Sequence, residues 1–109
     1  MRDEPALLQG TLDVLVLRAL ADGPRHGYAV ARWIHEITDA ALRVEDRALY
    51  IALHRALERG WVSAAWGTSE NNRRARFYTL TKSGRKALGR QARQWRDYAE
   101  AMFKALEGT

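Results

Sequence analysis

Residues 46–80 read DRALYIALHRALERGWVSAAWGTSENNRRARFYTL, and the hydrophobic period changes in the middle of them. From Asp46 to Arg59 the apolar residues Leu49, Leu53, Ala56 and Leu57 recur at helical spacing, which predicts an amphipathic helix stopped by Gly60. After Gly60 the period falls to two. Trp61–Trp66 reads as a strand, Gly67–Asn72 as a polar turn and Arg74–Leu80 as the returning strand. The helix presents a second face on which Arg47, Tyr50, Ile51, His54 and Glu58 fall at i, i+3, i+4, i+7 and i+11. An arginine, a phenol and an imidazole are an unusual choice for a face whose only task is solvation. The hairpin tip ends in Asn72, Arg73 and Arg74, so it is cationic.

Working upstream, Leu8, Leu12, Leu15 and Ala19 predict a helix over Pro5–Ala21. Val14, Val16, Leu17 and Leu20 add apolar residues on its other faces, so it is expected to be buried on more than one side. Asp22-Gly23-Pro24 stops it, because proline cannot continue a helix and glycine suits a left-handed end. A second helix is predicted over His26–Thr38, burying Val30, Trp33, Ile34 and Ile37 and leaving Arg32, His35 and Glu36 wet. Ala41–Val44 reads as a short extended lead into the third helix.

Downstream, Thr81 offers an N-cap and Lys82–Glu107 reads as one long helix. Its apolar positions Leu88, Ala92, Trp95, Ala99, Met102 and Leu106 are spaced 4, 3, 4, 3, 4, a heptad alternation. About 26 residues at 1.5 Å each make a helix roughly 39 Å long, more than a domain this small can cover. It is expected to project and to pair with a second copy through those six residues.

The fold class that follows is mainly α with a small β-hairpin, a winged helix-turn-helix over residues 1–80 plus a C-terminal dimerisation helix over residues 81–109, the two forming one compact unit. In that architecture the third helix enters the major groove of duplex DNA and the hairpin reaches phosphates or the minor groove. Composition agrees. One hundred and nine residues make one domain, and 47% hydrophobic with 28% charged residues is globular. Residues 1–40 carry net −2, residues 41–80 net +3 and residues 81–109 net +4, so the basic character follows the predicted helix–hairpin unit and the last helix. A basic face of this kind attracts polyanions.

Other classes find little support. No apolar run is long enough to span a membrane, the stretch Val14–Leu17 included, and no helix opposes a lysine-rich face to an aromatic one. With no cysteine there is no disulfide framework, thiolate metal site or thiol nucleophile, and a cytoplasmic location is the default expectation. The three histidines sit in separate segments without carboxylates at ligand spacing, and Ser63, Ser69 and Ser83 lack a nucleophile context, so no metal, cofactor or catalytic residue is expected.

The segments LQGTLDVLVLRALADGPRHGYAVA, LYIALHRALERGWV, WGTSENNRRARFYTLTKSGRKAL and QWRDYAEAM resemble the PadR family of bacterial transcriptional regulators, over about residues 7–106. The single last helix resembles the short subfamily in which that helix forms the dimer. The resemblance implies a homodimeric repressor on a pseudo-palindromic operator, released by a small aromatic or phenolic effector. The chain departs from the family pattern at Ile51 (commonly proline), Arg47 (commonly small), Glu45-Asp46 (in place of a serine or asparagine cap) and Asn72 (in place of glycine). These changes bear on which operator is read.

Arg47, Tyr50, His54 and Arg55 are therefore the expected DNA contacts of the third helix, although Arg55 lies to one side within reach of Glu58 or Glu45. Asn72, Arg73, Arg74 and Arg76 are those of the wing, and Lys82 that of the last helix. Trp95 is oversized for a two-stranded seam, and Ala92 and Ala99 leave space around it. It either plugs the groove beneath the first helix or, with Leu8 and Leu12 nearby, frames a flat aromatic site between subunits. The rival function is a protein-interaction module that uses the long helix and an inert hairpin.

Overall fold

Val16, Leu17, Leu20, Val30, Ile34, Leu49 and Leu53 are almost completely withdrawn from water, and they come from the first three helical segments of the chain. Each such side chain contributes about 1.5–3 kcal/mol relative to exposure. The computed structural model describes residues 10–108. Within them run α1 (Thr11–Ala19), β1 (Arg25–His26), α2 (Gly27–Ile37), α3 (Asp46–Glu58), β2 (Val62–Thr68), β3 (Arg74–Leu80) and α4 (Lys82–Glu107). Val44, Val62, Tyr78, Leu80 and Ala87 complete the core, so the hairpin base and the start of α4 close over the three helices.

The sheet has three strands in the order β1-β3-β2, all antiparallel. The hairpin expected from the sequence is two of them. The third, Arg25–His26, stands where the spacing predicts the start of α2, and two residues are too few for a period of two to register. α2 begins one residue later, with the His26 side chain as its cap: Nδ1 accepts the Ala29 N–H at 3.2 Å.

Other boundaries shift for local reasons. α1 ends at Ala19 rather than Ala21 because the amides of Leu20 and Ala21 bond to carbonyls three residues back, tightening the last turn. The upstream part of the predicted first helix, including Leu8, lies outside the described residues. Ala41–Val44 forms no strand; Val44 alone is buried and anchors the connection to α3. Ile37, expected in the core, is exposed at the end of α2. β2 continues to Thr68, so the turn is Ser69–Arg73: Gly67 pairs with Ala75 instead of turning, and the Phe77 ring lies where its side chain would be.

α4 is fastened at its first turn. Thr81 Oγ1 accepts the Gly84 N–H, and the Thr81 and Ser83 hydroxyls donate to the Gly60 carbonyl at 2.7 and 2.9 Å. A Cβ on Gly84 would collide with the Trp61 carbonyl, so it is the absence of a side chain that lets the helix start lie so close to the residue preceding β2. Ala87 is buried and Leu88 packs against the core; beyond Ala92 the helix is largely exposed. The long dimension of the molecule, 52 Å against 38 and 21 Å, reflects that projection.

Candidate nucleic-acid interface

Three segments converge on one cleft: the start of α2, the exposed face of α3 and the outer half of the hairpin. Leu49, Ala52, Leu53 and Ala56 hold α3 in the core, which leaves Arg47, Tyr50, Ile51, His54 and Glu58 exposed as their spacing predicts. His54 Nε2 lies 3.5 Å from Glu58 Oε2 one turn on, both side chains in solvent. A shallow depression of about 430 Å³ runs along this face.

Arg55 has a different task. Its Nε and NH2 groups donate to both oxygens of Asp13 on α1, and Arg59 approaches the same carboxylate at 3.9 Å. The partner is thus Asp13, brought in by the tertiary fold, and neither Glu58 nor Glu45. Hydrogen bonding to Asp13 raises the Arg55 pKa above its ordinary value. The bidentate pair locks the angle between α1 and α3, so Arg55 is occupied with packing while Arg47, Tyr50 and His54 stay available.

The hairpin register explains the wing. Val62 pairs with Leu80, Ala64 with Tyr78, Trp66 with Arg76 and Thr68 with Arg74, all on one face. At the base this face is core, with Val62, Leu80 and Tyr78 buried. Further out the helices end beneath it, and the same face carries Trp66, Arg76 and Arg74 into the cleft. Burial raises the Tyr78 phenol pKa, against the opposing pull of the Arg76 guanidinium 5.9 Å from its ring. The Arg74 guanidinium lies 4.5 Å from the centre of the Trp66 ring, whose side of the strand is otherwise open: Trp66 is 62% exposed.

The tip is a tight turn in which Ser69 accepts from Asn72 N–H at 2.9 Å and its own N–H donates to the Arg73 carbonyl at 2.8 Å. Asn72 sits at φ 60°, the left-handed conformation asparagine tolerates. Because His26 Nδ1 is occupied as an acceptor, its Nε2–H donates to Glu70 at 3.3 Å, and Arg32 of α2 stands 3.9 Å from the other Glu70 oxygen. The tip is therefore tied back to α2. That hydrogen bond from His26, followed by the residue's own backbone, lowers the Glu70 pKa.

His26, Tyr28, Tyr50, Trp66 and the arginines at 73, 74 and 76 line a cleft of about 730 Å³. Of the residues singled out from the sequence, Tyr50, Arg73, Arg74 and Arg76 meet there, Arg47 and His54 continue the surface along α3, and Asn72 shapes the turn. Lys82 does not join them. It follows the Val62–Leu80 end of the hairpin, six residues along β3 from the Thr68–Arg74 end, or roughly 20 Å at 3.3 Å per residue. Trp66, Tyr28 and the Glu70 latch were not among the expected residues; a tryptophan on the core-side register of a strand, two steps beyond the last buried pair, is the signal that marks Trp66.

The second feature is the free face of α4. Trp95 is 38% exposed and, among the described residues, its ring contact is with Tyr98, edge to face at 6.4 Å, while Met102 and Leu106 are also exposed. Ala92 and Ala99 are half-buried, Leu88 faces the chain's own core, and Tyr98 and Phe103 widen the apolar stripe beyond the heptad positions. Among the described residues no helix is long and apolar enough to cross a membrane.

A three-helix core carrying a cationic hairpin beside its third helix defines a winged-helix protein. The chain belongs to the transcriptional regulator PadR-like family, whose pattern matches residues 16–90, and members of this family are regulators rather than enzymes. A transcriptional regulator from Clostridium thermocellum is 25% identical over 88% of this chain and 93% of its own, with a TM-score of 0.79. A PadR family transcriptional regulator from Eggerthella lenta is 27% identical over 93% and 86%, with a TM-score of 0.74. Bacillus subtilis PadR, solved in complex with operator DNA, shares the fold at a TM-score of 0.63 and 22% identity, over 72% of this chain and 44% of that protein.

Proposed function

We propose that this chain is a cytoplasmic, homodimeric repressor that places α3 in the major groove of a pseudo-palindromic operator and is released by a small planar aromatic effector. The observation that carries the DNA-binding part is that Tyr50 of α3 meets Arg73, Arg74 and Arg76 of the wing in one open cleft, from which Arg47 and His54 continue the exposed surface along α3. A cationic cleft with a phenol at its edge, continued along α3 by an arginine and an imidazole, suits a phosphate backbone flanking base edges. The operator complex of Bacillus subtilis PadR supports the same assignment by likeness of fold.

Dimerisation is supported by the exposed stripe Trp95, Tyr98, Met102, Phe103 and Leu106 on a helix that continues beyond its own domain. A second copy covers that stripe and places two α3 helices for successive major grooves, about 34 Å apart. The effector part rests on Trp95 between Ala92 and Ala99, with Leu12 half-buried on α1 and Leu8 outside the described residues. The rival reading, a protein-interaction module, rests on the same stripe and assigns no task to the arginines of the cleft.

Duplex binding titrated against salt separates these readings. Replacing Arg73 by alanine is expected to weaken binding to all sequences alike and to reduce the log–log salt slope by about 1. Tyr50→Ala is expected to hurt selected duplexes more than random ones. A wild-type protein without salt-dependent duplex binding overturns the reading.

A further inference from the structure

Along the inner face of the hairpin, cations and rings alternate. Arg76 lies over Tyr78 and Arg74 over Trp66, so that among the described residues both guanidinium groups are seated on aromatic faces rather than on carboxylates. Such seating leaves the charge available to a second partner and restrains the side chain before that partner arrives. Trp66 is the exposed member, and nothing in the core requires an indole there: the last buried rung of this face is Ala64–Tyr78. Its surroundings are cationic, with Arg73 and Arg76 beside it in the cleft, so the surface that covers the indole carries negative charge and an apolar wall. The minor groove of duplex DNA has both, as sugar walls between two phosphate rows, and where it narrows at A·T steps its potential draws arginine inward.

We propose that Trp66 and Arg74 act together as a minor-groove reader, the indole packing on the deoxyribose wall while the guanidinium enters the groove, so that A·T pairs are favoured beside the segment read by α3. This rests on the duplex-binding reading above and adds a base preference contributed by the wing. It assigns Trp66 a role in specificity, alongside the purely electrostatic one of Arg73.

The test uses duplexes selected by the full-length wild-type protein from a random-sequence pool. Selected sequences are expected to carry A·T pairs at a fixed distance from the positions whose preference Tyr50→Ala abolishes. Changing those pairs to G·C is expected to lower affinity about tenfold, the usual cost of one mismatched pair. Changing them to inosine·cytosine, which presents the minor groove of an A·T pair with the major-groove edge of G·C, is expected to change it less than twofold. Trp66→Ala is expected to erase the discrimination, so that the A·T, inosine·cytosine and G·C forms bind alike, and Trp66→Phe to retain part of it. Circular dichroism and thermal melting of the Trp66→Ala protein verify that its fold is unchanged. If inosine·cytosine pairs behave like G·C, or if folded Trp66→Ala keeps the preference, the inference is overturned while the duplex-binding reading stands. If no duplex is selected at all, it is that reading that fails.

Discussion

Tyr50 lies across the first turn of α2 so closely that a Cβ on Gly27 would stand 2.7 Å from its phenol oxygen and 3.0 Å from two ring carbons. The glycine is there for proximity, and the contact sets where the most prominent aromatic of α3 points. Tyr50 remains 52% exposed, so it is positioned by α2 without being absorbed into the core.

Gly27→Ala is therefore expected to turn the Tyr50 ring aside with little effect on stability, since the half-exposed ring can move into solvent. Affinity for selected duplex is expected to fall about tenfold, or about 1.4 kcal/mol. Adding Tyr50→Ala to Gly27→Ala is expected to cost nothing beyond Tyr50→Ala alone. Additive losses in that double-mutant cycle would mean that Gly27 acts through something other than Tyr50.

Met102→Asp places a carboxylate in the middle of the exposed stripe of α4, where a second copy is expected to exclude water. Sedimentation is expected to show a dimer for the wild type at micromolar concentration and a folded monomer for the variant. A monomeric wild type would leave the stripe to some other protein.

Glu70 makes the wing's attachment sensitive to acid. Its carboxyl holds its proton less tightly in the folded chain than in the unfolded one, because His26 donates to it and Arg32 stands nearby. The contribution is complete above the unfolded value of about 4.3 and is lost as the pH falls through the lower folded value. Glu70→Gln is thus expected to lower the melting temperature slightly at pH 7, and the difference from wild type is expected to close in acid. A difference that is constant with pH would assign the effect to shape rather than charge.

Planar aromatic cations and neutral polycyclic dyes are expected to quench tryptophan fluorescence and to weaken duplex binding, both through Trp95. Ring stacking adds about 0.5–1.5 kcal/mol to area burial, so two symmetry-related indoles are consistent with micromolar affinity. Trp95→Ala is expected to abolish both responses. Unchanged duplex affinity across a broad panel of such compounds would leave Trp95 as an ordinary interface residue.

How much of this was legible in the sequence depends on the range of the interaction. The change of period at Gly60 named α3 and the hairpin, and the spacing of Leu49, Leu53 and Ala56 identified the opposite face before any contact was known. α4 was legible to the residue, Lys82–Glu107, because capping and a heptad pattern are written within one segment. β1 was not, since two residues become a strand only when β3 arrives to pair with them.

The site divides in the same way. Which residues α3 exposes follows from its own periodicity, and so does the cationic character of the wing tip. Arg55 was beyond reach of that reasoning because its partner Asp13 lies 42 residues earlier on another helix, and so was the bond from His26 to Glu70, 44 residues apart. Trp66 follows the same rule: alternation puts it on the face of Val62 and Ala64, but where the core beneath that face stops is a property of the assembled helices. Periodicity and capping are set by neighbours a few residues away, so the sequence alone determined the elements and their faces. Ion pairs between elements and the edge of the core depend on which elements pack together, and only the tertiary structure decided those.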